Sequence, residues 1–532
     1  MLFNSPLFLF LFLPLTLGLF YVQAVFNSFR AALATLVLCS LIFYAYWNPL
    51  YLLLLLMSIM VNYQLGHRLR RRVANASGAK PFLWLGIVFN LALIGYFKYA
   101  NFFVAAASDI TGYSLFLNQV ILPLGISFFT FQQITWLVDI YRGNQQRYDL
   151  LEYTQFVTFF PQLIAGPIVH HHEMMPQFNQ RNMLSHVSEN LSVGLTLFII
   201  GLFKKVVLAD SIAMHATPVF DAAVAGVTLT LYEAWVGALA YTLQLYFDFS
   251  GYSDMAIGLA RMFGIRLPIN FNSPYKATSI IDFWRRWHIT LSRFLRDYLY
   301  IPLGGNQRGS GRRYLNIAIT MILGGLWHGA GWTFLIWGGL HGFYLVVNHG
   351  WRALAARLSD TSGQTDGRSA GSPLYTLAGS IASRSITLVC VIIAWVVFRA
   401  ESFDAAISHL RSMSGLNGIA LPAQLESVLQ GQLPEPVQSI FAYGQLFGNE
   451  LSTPSTALLW IVALGVLAVA TPNSQQILSR FQPVLQGIEP ADGLFRQLQW
   501  SPTPWWSMAI SALALYTLLH LSQVSEFLYF QF

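Results

Sequence analysis

The chain has 532 residues, of which 55% are hydrophobic and 10% charged, with a mean hydropathy of +0.52; soluble domains carry about 25% charged residues, so a water-soluble fold is excluded. The net charge of +7 does not imply a nucleic-acid partner, because many of the basic residues fall in short segments between apolar runs, where they orient a membrane protein. Only Cys39 and Cys390 are present, both inside apolar runs, which leaves neither a disulfide framework nor a thiolate metal site.

Apolar runs recur at residues 7–22, 31–47, 51–61, 82–97, 192–203, 315–326, 386–398, 457–470 and 508–521. Each, with its polar flanks, approaches the roughly 20 residues that a helix needs to cross about 30 Å of hydrocarbon. None alternates as a membrane β-strand does over about ten residues. The fold class expected is therefore all-α, a polytopic transmembrane helical bundle of about eleven spans, formed as one integral membrane domain over residues 1–532. No basic residue precedes the first run, and only Val22-Gln-Ala24 faintly matches a small-x-small cleavage site, so a retained first helix is expected. The basic groups His67-Arg68-Leu69-Arg70-Arg71-Arg72, Lys204-Lys205 and Arg308 to Arg313 are expected on the cytoplasmic side, which puts the N-terminus outside.

Lys98 reads as a snorkelling anchor. The run His170-His171-His172 suggests a metal, but consecutive helical residues point about 100° apart and three of them do not converge on one ion; no metal site is expected. Asp248 and Asp254 lie six residues apart in an apolar segment, where structural hydrogen bonding is at least as good a reading as catalysis. Hydrophilic connections are expected at 359–372, rich in Gly and Ser, and at 401–454 and 472–504.

The stretch 267–305 is too charged to cross lipid and too aromatic for a plain loop. On a helical wheel Trp287, Leu291, Phe294, Leu295 and Tyr298 cluster with Trp284, and Asp282, Arg285, Arg286, Arg293, Arg296 and Asp297 oppose them, predicting one amphipathic interfacial helix. Ser279 followed by Asp282 supplies its N-cap; Pro302 and Gly304-Gly305 stop it. His288 falls on the apolar side. Farther on, His328 lies roughly 20 Å along a helix from Tyr314, amid Gly324, Gly325, Gly329 and Gly331. An imidazole at that depth either serves chemistry, as a general base near neutral pH, or is a structural histidine among glycines that only allow close packing.

The segments Asp282-Phe-Trp-Arg-Arg-Trp-His288, Asp297-Tyr-Leu-Tyr-Ile-Pro-Leu-Gly-Gly-Asn306 and Gly324-Gly-Leu-Trp-His-Gly-Ala330 together resemble the core of the membrane-bound O-acyltransferase family. The likeness is greatest to its bacterial branch that includes the alginate O-acetylation membrane protein, and extends to Gln244-Leu-Tyr-Phe-Asp-Phe-Ser-Gly-Tyr-Ser-Asp254 and the terminal Phe527-Leu-Tyr-Phe-Gln-Phe532. The resemblance implies a helical ring with interfacial and re-entrant helices around a thinned centre. His328 and His288 become the expected catalytic residues, with Trp287, Trp327, Asn306, Arg285 and Arg286 on the substrate or donor side. It also implies acetyl-coenzyme A as donor with no resident cofactor, membrane lipids as surroundings, and a multi-pass location in a bacterial inner membrane. The acceptor implied is an exported polysaccharide, alginate, cellulose or another, reached through a periplasmic SGNH-like acetyltransferase working with the synthesis and export machinery. A transporter of polysaccharide or lipid precursors is the competing class; the two histidine motifs together stand against it.

Overall fold

A computed structural model of the chain describes residues 1–76, 78–114, 116–118, 120–144, 146–179, 183–361, 373–422, 434, 441–444, 454–491 and 493–521. The terminal segment 527–532, most of the connection 359–372 and much of 401–454 lie outside the described residues. The described chain is helical apart from one short parallel ribbon, Ile419–Pro422 with Phe441–Gly444. Among the described residues, five helices are long and apolar enough to cross a membrane: Phe8–Phe26, Pro49–Ala74, Lys80–Thr111, Val187–Val224 and Ala378–Arg399; shorter apolar helices occupy Phe29–Ala45, Thr456–Ala470 and Pro504–Leu519. The chain is a multi-pass membrane protein of all-α class.

Two compact units make up the fold, and the chain passes between them more than once. The first unit takes residues 1–203, 251–270 and 474–522. Its helices include α1 (Leu13–Phe26), α2 (Phe29–Ala45), α3 (Pro49–Ala74), α4 (Lys80–Ile94), α5 (Ala100–Thr111), α6 (Ile126–Tyr141), α7 (Leu150–Thr158), α8 (Phe160–Leu163), α9 (His171–Met174) and α10 (Val187–Phe203). Capping sets several starts: Ser28 accepts from Ala31 N, and Asp149 forms a reciprocal box with Glu152. Several polar side chains buried in this unit pair with one another, which removes the cost of leaving them unbonded away from water; Asn62 and Asn90 bond each other, and Gln133 donates to Ser58. Gly194 and Gly258 meet backbone to backbone, a Cβ on either falling within 2.6 Å of the other's carbonyl oxygen, which is the close approach that small residues permit. The basic run Arg68–Arg72 forms the last turns of α3, with Arg70 buried.

The second unit takes 204–250 and 271–473. It begins with a π-turn, Lys204–Ala209, and α11 (Asp210–Val224). Then come most of α12 (Leu231–Met262), α13 (Ile280–Arg286), α14 (Ile289–Leu295), α15 (Gly309–His328), α16 (Trp332–Thr361), α17 (Pro373–Arg399), α18 (Phe403–Met413) and α19 (Pro454–Ala470). Lys205, expected in a basic connection, is instead 3% exposed inside this helical stretch, with Asp210 at 2.8 Å and Asp248 at 2.6 Å. A cation count along the sequence cannot tell an orienting charge from one neutralised by carboxylates farther along the chain.

Helices α15 and α16 form a tight hairpin. A Cβ at Gly325 would lie 2.2 Å from the carbonyl oxygen of Phe334, and one at Gly338 would lie 2.4 Å from that of Met321. These glycines let the arms touch along their backbones. The packing reading of the glycine-rich segment therefore holds for Gly325, whatever His328 does.

Candidate active site

The 284–298 stretch is two short helices, where one continuous amphipathic helix was expected. Ser279 caps α13 by accepting from Asp282 N at 3.2 Å. Trp287 is extended (φ −99, ψ 129), and His288 takes the left-handed conformation (φ 41, ψ 53) before α14 begins. Adjacent helical residues diverge by about 100°, whereas the break lets both side chains turn inward: Trp287 is 2% exposed and His288 0%. A non-glycine residue in this region costs about 1–3 kcal/mol, which the surrounding packing must over-determine. Phe249 meets the His288 ring edge-on at 4.9 Å, and Phe271 packs at 6.4 Å. The hydrophobic sidedness survives the break, with Trp284, Leu291, Phe294 and Leu295 buried and Arg285 and Arg296 exposed.

His328 is the last residue of α15, ahead of the extended Gly329 at the hairpin corner. It is partly exposed. Its ring lies 6.2 Å from that of His288 and is held edge-on by Trp327 at 4.9 Å, Trp337 at 5.2 Å and Phe398 at 5.3 Å. Trp327 also reaches His288, at 6.0 Å. Burial alone pushes the His288 pKa down to about 3, so this ring is neutral and offers one donor and one acceptor nitrogen. Two imidazoles, one enclosed and one reachable, thus face each other within an aromatic cage.

Of the other expected site residues, Trp287 belongs to the cage wall, stacking on Phe283 at 5.7 Å and packing against Trp395 at 4.9 Å. Arg286 is engaged by Asp282 at 2.9 Å and by the Asn272 carbonyl, while Arg285 is exposed. Asn306 is not brought to the histidines. It is exposed in the turn before α15, and the length of that helix separates it from His328, about 30 Å at 1.5 Å per residue. The asparagine that orders this turn is Asn316, buried and donating to the Gly305 carbonyl at 2.9 Å.

Sequence reading missed His341. It is fully buried on α16, one helical turn after Trp337 at 4.8 Å, and its Nδ1 accepts from the Trp284 indole at 3.3 Å. The one signal in the sequence was its i+4 spacing from Trp337, which cannot reveal that Trp284, 57 residues earlier, supplies the donor.

The family model for membrane-bound O-acyltransferases matches residues 33–367. Over 447 residues, 79% of this chain and 81% of the relative, the sequence is 45% identical to a peptidoglycan O-acetyltransferase of Helicobacter pylori. It is 39% identical, in an alignment of 551 positions that covers 100% of both chains, to a probable alginate O-acetylase of Pseudomonas aeruginosa. A teichoic acid D-alanyltransferase of Streptococcus thermophilus is 29% identical over 236 residues, 43% of this chain and 57% of the relative.

Proposed function

This chain belongs to the membrane-bound O-acyltransferase family, and from that premise we propose that it supplies acetyl groups for the O-acetylation of an exported glycan, working in the inner membrane of a bacterium. It is an acyltransferase. The observation that carries the reading of the site is the facing pair His288 and His328, 6.2 Å between ring centres, with only His328 reachable. Hydrogen bonds of about 2.8 Å from both rings can bridge to one oxygen atom placed between them.

In the proposed reaction His328 takes the proton of an acceptor hydroxyl as its oxygen attacks the acyl carbon of a thioester, for which acetyl-coenzyme A is the donor. Neutral His288 donates its N–H to the oxyanion that develops on the former carbonyl. Collapse breaks the carbon–sulfur bond, and the proton held by His328 passes to the leaving thiolate. Trp327, Trp337 and Phe398 exclude water around the pair, which strengthens each hydrogen bond. The exposed guanidinium of Arg285 is the better placed of the two arginines for a donor phosphate, since Arg286 is occupied by Asp282.

We assign the acceptor hydroxyl to a periplasmic SGNH-like acetyltransferase acting beside the polysaccharide machinery. Relatives 45% and 39% identical to this chain are named for peptidoglycan and alginate, two chemically different glycans; a membrane component that hands on acetyl need not read the sugar. The test is a reconstitution in proteoliposomes with labelled acetyl-coenzyme A on one face. Label should leave the thioester and appear on the added partner only with His328 present. Label appearing directly on glycan without the partner would replace the relay by direct transfer.

A further inference from the structure

A second cluster of ligating side chains stands in the first unit, where the end of α6 meets the start of α9. Asp139 lies two residues before the end of α6, and His171 and His172 open α9. Three consecutive histidines on one helix do not converge on an ion, but the fold adds a carboxylate from another helix. In the folded unit Asp139 Oδ2 lies 3.3 Å from His171 Nδ1 and 4.0 Å from His172 Nδ1, and one ligand atom from each residue falls within 4.8 Å of the others. Asp139 Oδ1 faces Arg142 at 4.0 Å, on the other side of the carboxylate from the oxygen that faces the imidazoles. The His171 side chain is 1% exposed, and its Nδ1, aimed at Asp139, makes no hydrogen bond of acceptable geometry.

We propose that Asp139, His171 and His172 form a binding site for a divalent transition metal of the zinc class, with one carboxylate oxygen, two imidazole nitrogens and a water completing a tetrahedron. Bonds of about 2.0–2.1 Å set neighbouring tetrahedral ligands about 3.3 Å apart, the separation already present between Asp139 and His171. His172, whose side chain is 54% exposed, closes the longer edge by a small ring rotation and leaves the ion a path from solvent. Two imidazoles and one carboxylate suit zinc, nickel or copper in preference to magnesium or calcium. The Asn144 side-chain nitrogen lies 2.9 Å from His171 Nε2, so without metal the ring proton sits on Nδ1, facing Asp139. Loading replaces that proton by the ion, the ring is reprotonated at Nε2, and the Asn144 amide turns its oxygen to accept it, the outer contact that usually orients a ligating histidine. The bound ion then clips the start of α9 to the end of α6.

The full-length chain, purified in detergent on a tag without histidine and stripped by chelator, is titrated with zinc chloride by equilibrium dialysis. One zinc per chain is expected, with affinity falling more than about tenfold in His172→Gln and in Asp139→Asn. Because His172 is half exposed, its variant keeps the fold. Chelator should also lower the Tm of the unaltered chain and leave that of His172→Gln in place. If the unaltered chain retains no more zinc than both variants, the site does not exist and the cluster is a histidine–aspartate contact only.

Discussion

Trp284 and His341 are joined by an indole-to-imidazole hydrogen bond of 3.3 Å, with Trp284 9% and His341 0% exposed. Because Nδ1 accepts, Nε2 carries the ring proton, which fixes the tautomer. Trp337 lies between this pair and the reachable histidine, 4.8 Å from His341 and 5.2 Å from His328. The bond therefore holds the wall against which His328 is set. His341→Phe keeps the ring volume but strands a buried indole N–H, at a cost of about 1–3 kcal/mol. His341→Asn restores an acceptor near the position of Nδ1. Acetyl transfer by purified protein should fall at the level of kcat in the Phe variant and recover in the Asn variant; equal rates for His and Phe would reduce His341 to filling space.

His328→Ala should leave the protein inserted and remove glycan O-acetylation, since losing a general base costs about 10²–10⁴ in rate. Acetyl content of the purified polymer, measured beside membrane levels of the variant, decides it. Normal acetylation from a stable variant returns His328 to packing. His288→Ala should be equal or milder, and the double variant no better than His328→Ala.

The α15–α16 hairpin predicts a contrast between neighbouring glycines. Gly325→Ala places a methyl 2.2 Å from the Phe334 carbonyl oxygen, backbone that cannot yield locally, whereas the nearest atom to a Cβ at Gly339 is Ile322 Cγ1 at 4.0 Å. Overpacking of this kind costs about 1–3 kcal/mol. The Tm in detergent should drop for Gly325→Ala and hold for Gly339→Ala; similar values for both would mean that the arms can separate.

Lys205 links two buried carboxylates, Asp210 and Asp248. Lys205→Met leaves them facing each other without a cation, a loss of about 3–5 kcal/mol. Adding Asp248→Asn should recover part of it. Membrane accumulation and Tm of the single and double variants are the readout, and an undisturbed single variant would show the triad to be hydrated.

His409 on α18 donates from Nε2 to the Ala234 carbonyl at 3.0 Å, and burial holds its pKa down to about 4 against an ordinary 6.5. The unfolded chain therefore binds a proton that the folded chain refuses. Its stabilising effect is complete above the unfolded pKa and is lost as pH falls from 6.5 towards 4, by about 1.4 kcal/mol per unit crossed. His409→Gln should flatten that part of the Tm–pH curve; an unchanged slope would assign the acid sensitivity to other groups.

The sequence by itself determined the solvent, the class and the position of the two histidine motifs. Low charge and long apolar runs leave a helical membrane protein as the one solution for backbone polar groups in lipid, and local order decides which residues flank His288 and His328. The amphipathic sidedness of 284–298 was also legible, because burial follows side-chain period. The break at Trp287–His288 was not, since the rings that pack on His288, Phe249 and Phe271, come from outside the helix. Nor could spacing reveal the indole given to His341, the carboxylates around Lys205, or Asp139 beside His171. Each joins residues from separate parts of the chain, and a one-dimensional pattern carries the period of a helix but not the identity of what packs against it. Asn306 marks the same boundary from the other side: it is near the motifs in sequence, and a helix of 20 residues carries His328 away from it.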